Sequence, residues 1–441
     1  MRSSSHLSGS STGSSAPAND EASHRVLIAL GAIVGMGALP FLVMSVRRRV
    51  RGPNAVSASD PRATAAGLAE LRQRDPDFSQ PAFEDFVARL FMAAHRAQSG
   101  SAAQRALAPY VTANVLAELA RNGGASAVTI GALGLESVHV HSQHSEIALI
   151  FTASVRTAPA PAQYVRERWT LRRQAGVRSK TPSVSNRLGC PSCGDAFSAN
   201  GSDGTCARCQ QVVSDGRFAW HVTQRGVLEQ RSALDGLTGT TEEVGTHEAT
   251  KVDPGNDDIF ATLVADDPAC NDESVRAEVQ LTYDRLNECW NANDLTLVHA
   301  RLSDVQHDSL RYWLETYAAH GLRNTLTQAN LTRVVRAKVV RDHYFDAVTV
   351  RILAAGYDVT SELSGRQVGG SSTAKREYSE YWTFIRRARV AGRARVDIDC
   401  PKCATPLVLE PMGYCTECGK PVTPNAIDWV LHKIEQDETY V

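Results

Sequence analysis

The sequence predicts an α+β protein in which one structural unit occurs twice behind a single N-terminal transmembrane helix. Three observations lead to this fold class: an uncharged apolar run near the start, a repeated set of paired cysteines, and helical periodicity that precedes strand periodicity in both halves. Helices grouped ahead of strands favour a curved antiparallel sheet over alternating βαβ units. The length of 441 residues suits two or three domains.

Composition is that of a globular protein without a strong charge preference. Hydrophobic residues make up 43% of the chain, charged residues make up 22%, and the net charge is −1. We therefore expect no DNA partner, since nothing global indicates nucleic acid. Eight of the ten cysteines fall in C-x2-C pairs. In a chain of this size such pairs favour metal sites over disulfides, and they indicate a reducing compartment.

The run at residues 26–46 predicts the transmembrane helix. It reads VLIALGAIVGMGALPFLVMSV and contains no charged residue. At about 1.5 Å per residue it can cross about 30 Å of hydrocarbon. Basic residues follow the run rather than precede it, which favours a retained anchor over a cleaved signal peptide. The basic residues that set the topology are Arg47, Arg48, Arg49 and Arg51. By the positive-inside rule, they place the N-terminus outside and the rest of the chain in the cytoplasm.

Repeated markers divide the chain into segments. Each unit opens with Asp-Pro, at Asp75-Pro76 and at Asp267-Pro268. One tryptophan precedes each cysteine set (Trp169 and Trp382), and another follows the last cysteine of each set by eleven residues (Trp220 and Trp429). The predicted segments are a disordered Ser-rich N-terminus (1–25), the transmembrane helix (26–46), a basic tether (47–74), a first domain (75–227), an acidic flexible linker (228–266) and a second domain (267–441).

The cysteines predict two structural zinc ribbons, one inserted in each unit at 190–209 and 400–418. The predicted ligands are Cys190, Cys193, Cys206 and Cys209 in the first ribbon, and Cys400, Cys403, Cys415 and Cys418 in the second. Zinc prefers a closed tetrahedron, which four thiolates supply without leaving a position for water or substrate. Iron in the same geometry is the alternative, but it would need an electron-transfer role that nothing else in the sequence suggests.

Basic residues recur on predicted strands of both units. The residues are Arg168, Arg172, Arg173, Arg333, Arg336 and Lys338. Such runs are ordinarily solvated strand faces. The alternatives are contact with anionic lipid or with RNA, both of which use clustered positive charge.

No recognised catalytic motif occurs in the sequence. A Gly-rich phosphate loop, H-E-x-x-H and G-x-S-x-G are all absent, so we assign no catalytic residue and expect no enzyme. His139, His141 and His144 fall beside a predicted turn, and we interpret them as exposed strand histidines rather than a further metal site.

A family resemblance rests on the second unit. The run Leu286-Asn-Glu-Cys-Trp290-Asn-Ala-Asn-Asp294-Leu295 leads to Val298, Leu302, Ser303-Asp304 and Leu310, and strand residues Val334-Val335 and Val348 to Ile352 follow. This pattern resembles the Tim44-like domain, the family of the mitochondrial inner-membrane import-motor anchor. The first unit is similar through Asp75-Pro76-Asp-Phe78 and Phe83-x2-Phe86.

The resemblance implies a cone-like fold akin to the nuclear transport factor two-like group, with helices packed on a curved antiparallel sheet around a concave apolar pocket. It also implies a membrane-anchored cytoplasmic scaffold or adaptor that binds protein partners or lipid, linked to protein translocation or membrane insertion. The partners so implied are membrane lipids and proteins of the membrane, the ribosome or the translocon.

The expected location is a bacterial inner membrane, crossed once. The import anchor lacks ribbons and a second domain, so import-motor activity is not carried over. The alternative function is an isomerase or dehydratase of the nuclear transport factor two-like group, which would need a titratable side chain inside an apolar pocket.

Overall fold

Helices packed on two antiparallel sheets make up the described part of the chain. A computed structural model describes residues 61–121, 123–182, 187–198, 204–234, 237–238, 245–392, 398–410, 414–437 and 439–440. The first unit contains α1 Pro61–Arg74, α2 Gln80–Arg96, α3 Ala102–Ala106, α4 Ala113–Ala120, β1 Ala127–Val140, β2 His144–Arg156, β3 Gln163–Gln174 and β4 His221–Arg231. Its strands lie in the order β1-β2-β3-β4, each antiparallel to its neighbour.

Helix α2 shows why the first unit folds as it does. Ser79 caps its N-terminus, and the Ser79 hydroxyl accepts a hydrogen bond from the amide of Ala82. Apolar residues at helical spacing bury one face of α2 against the sheet. The ring of Phe91 stacks on Phe151 at 4.3 Å and contacts Trp169 at 5.1 Å. The first marker tryptophan is therefore a core residue.

The second unit repeats this plan, and its first two strands are longer than those of the first unit. It contains α5 Asn256–Asp266, α6 Asp272–Ala292, α7 Asp304–Ala319, β5 Leu322–Arg341, β6 Phe345–Glu362, β7 Gln367–Gly370, β8 Arg376–Arg387 and β9 Val430–Gln436. The sheet order is β5-β6-β8-β9, and β7 pairs with β6. Asn271 and Ser274 form a capping box at the start of α6, and Asn293 ends that helix in the left-handed conformation.

One buried ion pair recurs at the same place in both units. Arg173, near the end of β3, contacts Asp75 at 2.8 Å, and its guanidinium lies 4.5 Å above the ring of Trp220. The second unit has the same arrangement: Arg386, near the end of β8, contacts Asp267 at 2.9 Å and lies 4.6 Å from the ring of Trp429. The Asp-Pro and tryptophan markers thus tie the start of each unit to the strands that flank its ribbon.

The two units contact each other through α7 and β1. The Ser309 hydroxyl donates a 2.6 Å hydrogen bond to the carbonyl of Gly131, and the Thr129 hydroxyl donates to Glu315 at 3.1 Å. A buried histidine adds a second junction. His432 lies 3.0 Å from Glu84 of the first unit and 3.0 Å from the hydroxyl of Ser303. These contacts join the units through buried polar groups as well as through packing.

The predicted fold class is wrong in its membrane-spanning element. Among the described residues, no helix is long and apolar enough to cross a bilayer. Helix α6 has sufficient length, but it carries charged residues along several turns, including Asp272, Arg276 and Asp284. The run 26–46, the four arginines that follow it and the Ser-rich start lie outside the described residues. The supported architecture is a mixed arrangement of helices with two antiparallel sheets.

Two predicted connecting segments contain regular structure. Residues 61–74 of the predicted tether form α1, where Leu71 is buried and the Thr64 hydroxyl donates to the carbonyl of Glu136 on β1. In the predicted linker, residues 256–266 form α5, whose Phe260 and Leu263 are buried. Their composition, with few apolar residues among many polar ones, predicts solvated chain, but the helical spacing of those few residues lets each segment pack as a helix on a sheet.

Candidate functional site

Each set of four cysteines forms a compact sulfur cluster. In both sets, all four Sγ atoms lie within 4.8 Å of one another. The Sγ atoms of Cys190 and Cys209 are 3.8 Å apart, as are those of Cys400 and Cys418. Four sulfurs bound at about 2.3 Å to one tetrahedral ion would be separated by about 3.8 Å. The two clusters therefore have the donor type, donor number and spacing of a closed metal site.

The backbone of every C-x2-C turn bends in the same way. In each turn the residue directly after the second cysteine has a positive φ; these residues are Gly194, Gln210, Ala404 and Gly419. Their amides donate to the carbonyl of the first cysteine of the pair, for example from Gly194 to Cys190 at 2.8 Å. Glycine adopts this conformation without strain, whereas Gln210 and Ala404 are held in it by the turn.

The ribbons are fastened to the helical side of their units. In the first ribbon Phe197 and Val213 pack with the cysteines against Ala108 and Phe218. The Tyr110 hydroxyl also donates a 2.6 Å hydrogen bond to the carbonyl of Gly189, immediately before the first cysteine. The second ribbon buries apolar residues against Ala300 of a short 3-10 turn; they include Ile398, Leu407, Leu409 and Val422. Each ribbon therefore has a small apolar cluster of its own, which also contacts a residue of the helical part of its unit.

A buried carboxylate lies beneath the marker tryptophan of each unit. Glu167 accepts hydrogen bonds from the indole of Trp169 at 2.8 Å and from the Arg225 guanidinium, and it lies 3.3 Å from His95. Burial alone would raise the pKa of Glu167, but His95 and Arg225 lower that pKa to about 2. In the second unit Glu380 accepts from Trp382 at 2.9 Å.

Sequence reasoning missed these carboxylates, although a signal was present. Both units contain Glu-x-Trp-Thr at the marker tryptophan, as Glu167 to Thr170 and as Glu380 to Thr383. The Glu84–His432–Ser303 junction left no comparable signal, because its members come from three distant segments of the chain.

Two cavities occupy corresponding places in the two units. The first, of about 60 Å³, lies beside the first ribbon and is lined by Phe83, Phe86 and Trp220 among others. The second, of about 20 Å³, is lined by Val275, Glu278 and Trp429 among others. Titratable side chains reach both cavities. The pKa of Glu278 is raised to about 7, mainly by burial, despite the nearby Arg301.

The predicted basic contact residues do not form one cationic surface. Arg168 pairs with Glu136, Arg172 pairs with Glu146 at 2.6 Å, and Arg173 is buried against Asp75. Arg336 contacts two aspartates and lies 3.8 Å above the ring of Phe260. Burial lowers the pKa of Lys338. Arg333 is exposed. Most of these side chains thus have partners within the fold, because acidic residues face them from neighbouring elements.

The three hairpin histidines lie close together at the end of β1 and the start of β2. The ring centroids of His141 and His144 are 4.6 Å apart, and those of His139 and His141 are 6.3 Å apart. Within the described residues, the groups whose ligand atoms converge as a metal site requires are the two cysteine clusters, and these histidines are not among them.

Comparison with known proteins gives one clear family match. Residues 257–394 match the Tim44-like domain. This range runs from α5 to just beyond β8, so it covers most of the second unit and stops before the second ribbon. The first unit and the two ribbons lie outside the matched range.

No curated protein matches the chain. Among solved structures, an Ntf2 like protein involved in plasmid conjugation is similar at 10% identity, over 81% of this chain and 95% of that chain, with a TM-score of 0.18. A TM-score of this size is too low to establish a shared fold.

Proposed function

We propose that this protein is a scaffold or adaptor whose two α+β units are each fastened by one structural zinc ion. The observation that carries the proposal is the Tim44-like match over residues 257–394, which falls on α5, α6, α7 and the sheet that they cover. The closed cysteine clusters support zinc in a structural role, since four thiolates leave the ion no position for a substrate.

The proposal places this adaptor at the cytoplasmic face of a bacterial inner membrane, in protein translocation or insertion. Its partners would be membrane lipids and proteins of the membrane, the ribosome or the translocon. The resemblance to the Tim44-like domain supports this placement. Reduced cysteines in both clusters are compatible with a cytoplasmic environment.

An enzyme is the second candidate, and Glu278 is the observation that favours it. A buried carboxyl with a pKa raised to about 7 is suited to general acid–base catalysis. However, the cavity that Glu278 lines measures about 20 Å³, which is room for one or two water molecules. Arg301 also contacts Glu278 at 3.1 Å, as expected of a structural ion pair. The adaptor accounts for both observations without a substrate.

The test is cross-linking of the full chain in living cells, followed by mass spectrometry of the captured proteins. The matched control is Cys400→Ser, which should lose the metal of the second unit and the partners bound there. Recovery of translocon, ribosomal or other membrane proteins with the natural chain, and their loss with Cys400→Ser, is the expected result. The same capture from both chains, or no protein captured above background, would contradict the adaptor.

A further inference from the structure

Three histidines lie on one face of the hairpin that β1 and β2 form. Side chains alternate between the two faces of a strand, so His139 and His141 share a face at the end of β1. The amide of His141 donates a 2.8 Å hydrogen bond to the carbonyl of His144, which places His144 directly opposite His141 across the turn. This cross-strand pairing depends on register, and spacing along the chain does not reveal it.

The ring spacing of His141 and His144 suits a shared metal ion. Their ring centroids lie 4.6 Å apart. Two imidazoles bound to one ion through nitrogens at about 2.0–2.1 Å would have centroids about 4.5–5.2 Å apart. The ring of His139 lies 6.3 Å from that of His141, and in this conformation the nitrogens of the three rings do not all converge on one point. His139 and His141 are exposed, so their rings can turn about the side-chain bonds and complete the site without a backbone movement.

We propose that His139, His141 and His144 together bind a divalent transition-metal ion. Neutral imidazole is a common ligand of Zn²⁺, Cu²⁺ and Ni²⁺. Three imidazoles leave at least one coordination position for water or another ligand, whereas the four thiolates of each cysteine cluster leave none. An ion held by side chains at the surface exchanges readily, so the chain as purified should still carry only the ions of the cysteine clusters. The proposal goes beyond the adaptor function and does not depend on it.

The ring nitrogens of these three histidines have no competing partners. Among the residues that the structure describes, none forms a hydrogen bond or an ion pair with them. Other histidines of the chain differ, since ring nitrogens of His95, His320 and His432 lie within 3.3 Å of acceptor or donor groups. A metal ion requires a free lone pair on each ligand nitrogen, and neutral imidazole has one such nitrogen. The hairpin thus presents three neighbouring ligands that no internal contact occupies.

The charged side chains at this end of the hairpin are paired with one another. Glu146 lies opposite His139 in the strand register and pairs with Arg172 at 2.6 Å. Arg74 donates a 2.9 Å hydrogen bond to a backbone carbonyl of the turn and pairs with Glu70 at 2.7 Å. Each guanidinium therefore has its own carboxylate, and these two cations leave no excess positive charge to repel a metal ion.

The corresponding hairpin of the second unit provides an internal control. There the amide of Asp342 donates to the carbonyl of Phe345 at 2.9 Å, so these two residues take the places of His141 and His144. The turn between β5 and β6 contains one histidine, the exposed His343. A single turn histidine cannot chelate an ion, and the second hairpin should therefore bind none.

The test is calorimetric titration of the purified full chain with Ni²⁺, after purification with zinc and dialysis. His139→Gln, His141→Gln and His144→Gln each remove one ligand and keep a polar side chain at the surface. His343→Gln is the matched control, because it removes an exposed histidine from the corresponding turn. A zinc-sensitive dye follows the release of zinc, so that exchange at the cysteine clusters is not counted as binding. Circular dichroism checks that each variant is folded.

At about pH 7.5 we expect about one Ni²⁺ ion per chain, bound with a Kd of about 10 μM. Each of the three hairpin variants should weaken binding about tenfold, and His343→Gln should leave it unchanged. Binding should be lost at about pH 5.5, because protonated imidazole has no free lone pair. Unchanged binding in any hairpin variant, equal loss in His343→Gln, full binding at the acidic pH, or nickel uptake matched by zinc release would overturn the proposal. None of these results bears on the cross-linking test of the adaptor.

Discussion

At the level of single side chains, Glu167 is a buried carboxylate of the first unit that several donors hold in place. It is fully buried, and its hydrogen bonds come from an indole and a guanidinium on two different strands. Its folded-state pKa of about 2 lies below the ordinary 4.5, despite burial, because hydrogen bonds with His95 and Arg225 favour the ionised form. The difference corresponds to about 3 kcal/mol of stability at neutral pH.

Glu167→Gln should therefore make the free energy of unfolding less dependent on pH at acidic pH. A carboxyl with a depressed folded pKa stabilises the protein above its unfolded pKa, and this stability is lost as pH falls from about 4.5 through about 2. We expect Glu167→Gln to lower the free energy of unfolding by about 3 kcal/mol at pH 7 and to reduce the loss below pH 4.5. Urea unfolding across this pH range measures both. Glu70→Gln, at an exposed pair, should cost under about 1 kcal/mol, and an unchanged pH dependence in Glu167→Gln would contradict the assignment.

A second residue-scale prediction follows from comparing the two cavities. Phe86 and Tyr110 form an edge-to-face pair at 5.6 Å in the first unit. The same place in the second unit holds Glu278 and Arg301, which form a buried ion pair. At a pH well above 7, where Glu278 is ionised, Arg301→Ala should cost about 3–5 kcal/mol, because it leaves a buried carboxylate without its cation. The double variant Glu278→Phe with Arg301→Tyr should be near neutral or more stable. Denaturant unfolding of the single and double variants tests this, and a double variant worse than Arg301→Ala would refute it.

Spacing along the chain could reveal the cysteine ligands, because a C-x2-C turn is a local structure. It could not reveal that Glu84, Ser303 and His432 meet, since their contact depends on how the two units pack. It also left open whether Arg168 and Arg172 are solvated strand residues or contact lipid or RNA, and in the structure both form ion pairs. The partner of Arg172 lies on the adjacent strand β2, and the partner of Arg168 lies one strand further away, on β1; both positions depend on a register which the sequence alone does not specify.

At the scale of elements, each ribbon joins two strands whose pairing it must not disturb. The first connects β3 to β4 and the second connects β8 to β9, and in both cases the joined strands pair antiparallel. The ribbon cores are small clusters of apolar residues around the cysteines. So little buried apolar surface is not enough to hold such an insert in place without a bound ion.

Metal content should therefore follow the cysteine clusters one to one. We expect two zinc ions per chain by mass spectrometry, and one in Cys190→Ser or in Cys400→Ser, since three thiolates hold a structural ion poorly. Limited proteolysis should cleave the first unit faster in Cys190→Ser and the second unit faster in Cys400→Ser, each compared with the natural chain. Cys289→Ser is the matched control, because Cys289 is buried outside both clusters and should leave two ions in place. Full metal content in either cluster variant would rule out the assignment.

Helices α1 and α5 show why short elements escape sequence reasoning. Each has one or two fully buried apolar residues, such as Leu71 in α1 and Leu263 in α5, among exposed polar ones. Their helical structure is stabilised by the sheet they cover rather than by their own composition. Helices α2 and α6 bury a continuous stripe, and the same periodicity was sufficient to predict them.

At the scale of the whole molecule, α7 belongs to the second unit but packs on β1 of the first. Tyr312 is 1% exposed, and its ring lies over the backbone of Gly131. A Cβ atom at position 131 would lie 2.5 Å from Cδ1 of Tyr312, closer than two carbon atoms can approach. The absence of a side chain at this position therefore allows the two units to touch, and the Ser309 hydrogen bond to the Gly131 carbonyl depends on the same close approach.

Gly131→Ala should loosen the contact between the units. The added methyl group must displace Tyr312 or lift α7 from β1, at a cost of about 1–3 kcal/mol. Gly134→Ala is the matched control on the same strand, because a Cβ there has no neighbour within 4 Å. Small-angle X-ray scattering should show a larger radius of gyration for Gly131→Ala alone, and calorimetry should resolve separate unfolding transitions for the two units. If Gly131→Ala and Gly134→Ala unfold alike and scatter alike, then α7 and β1 do not hold the units together in solution.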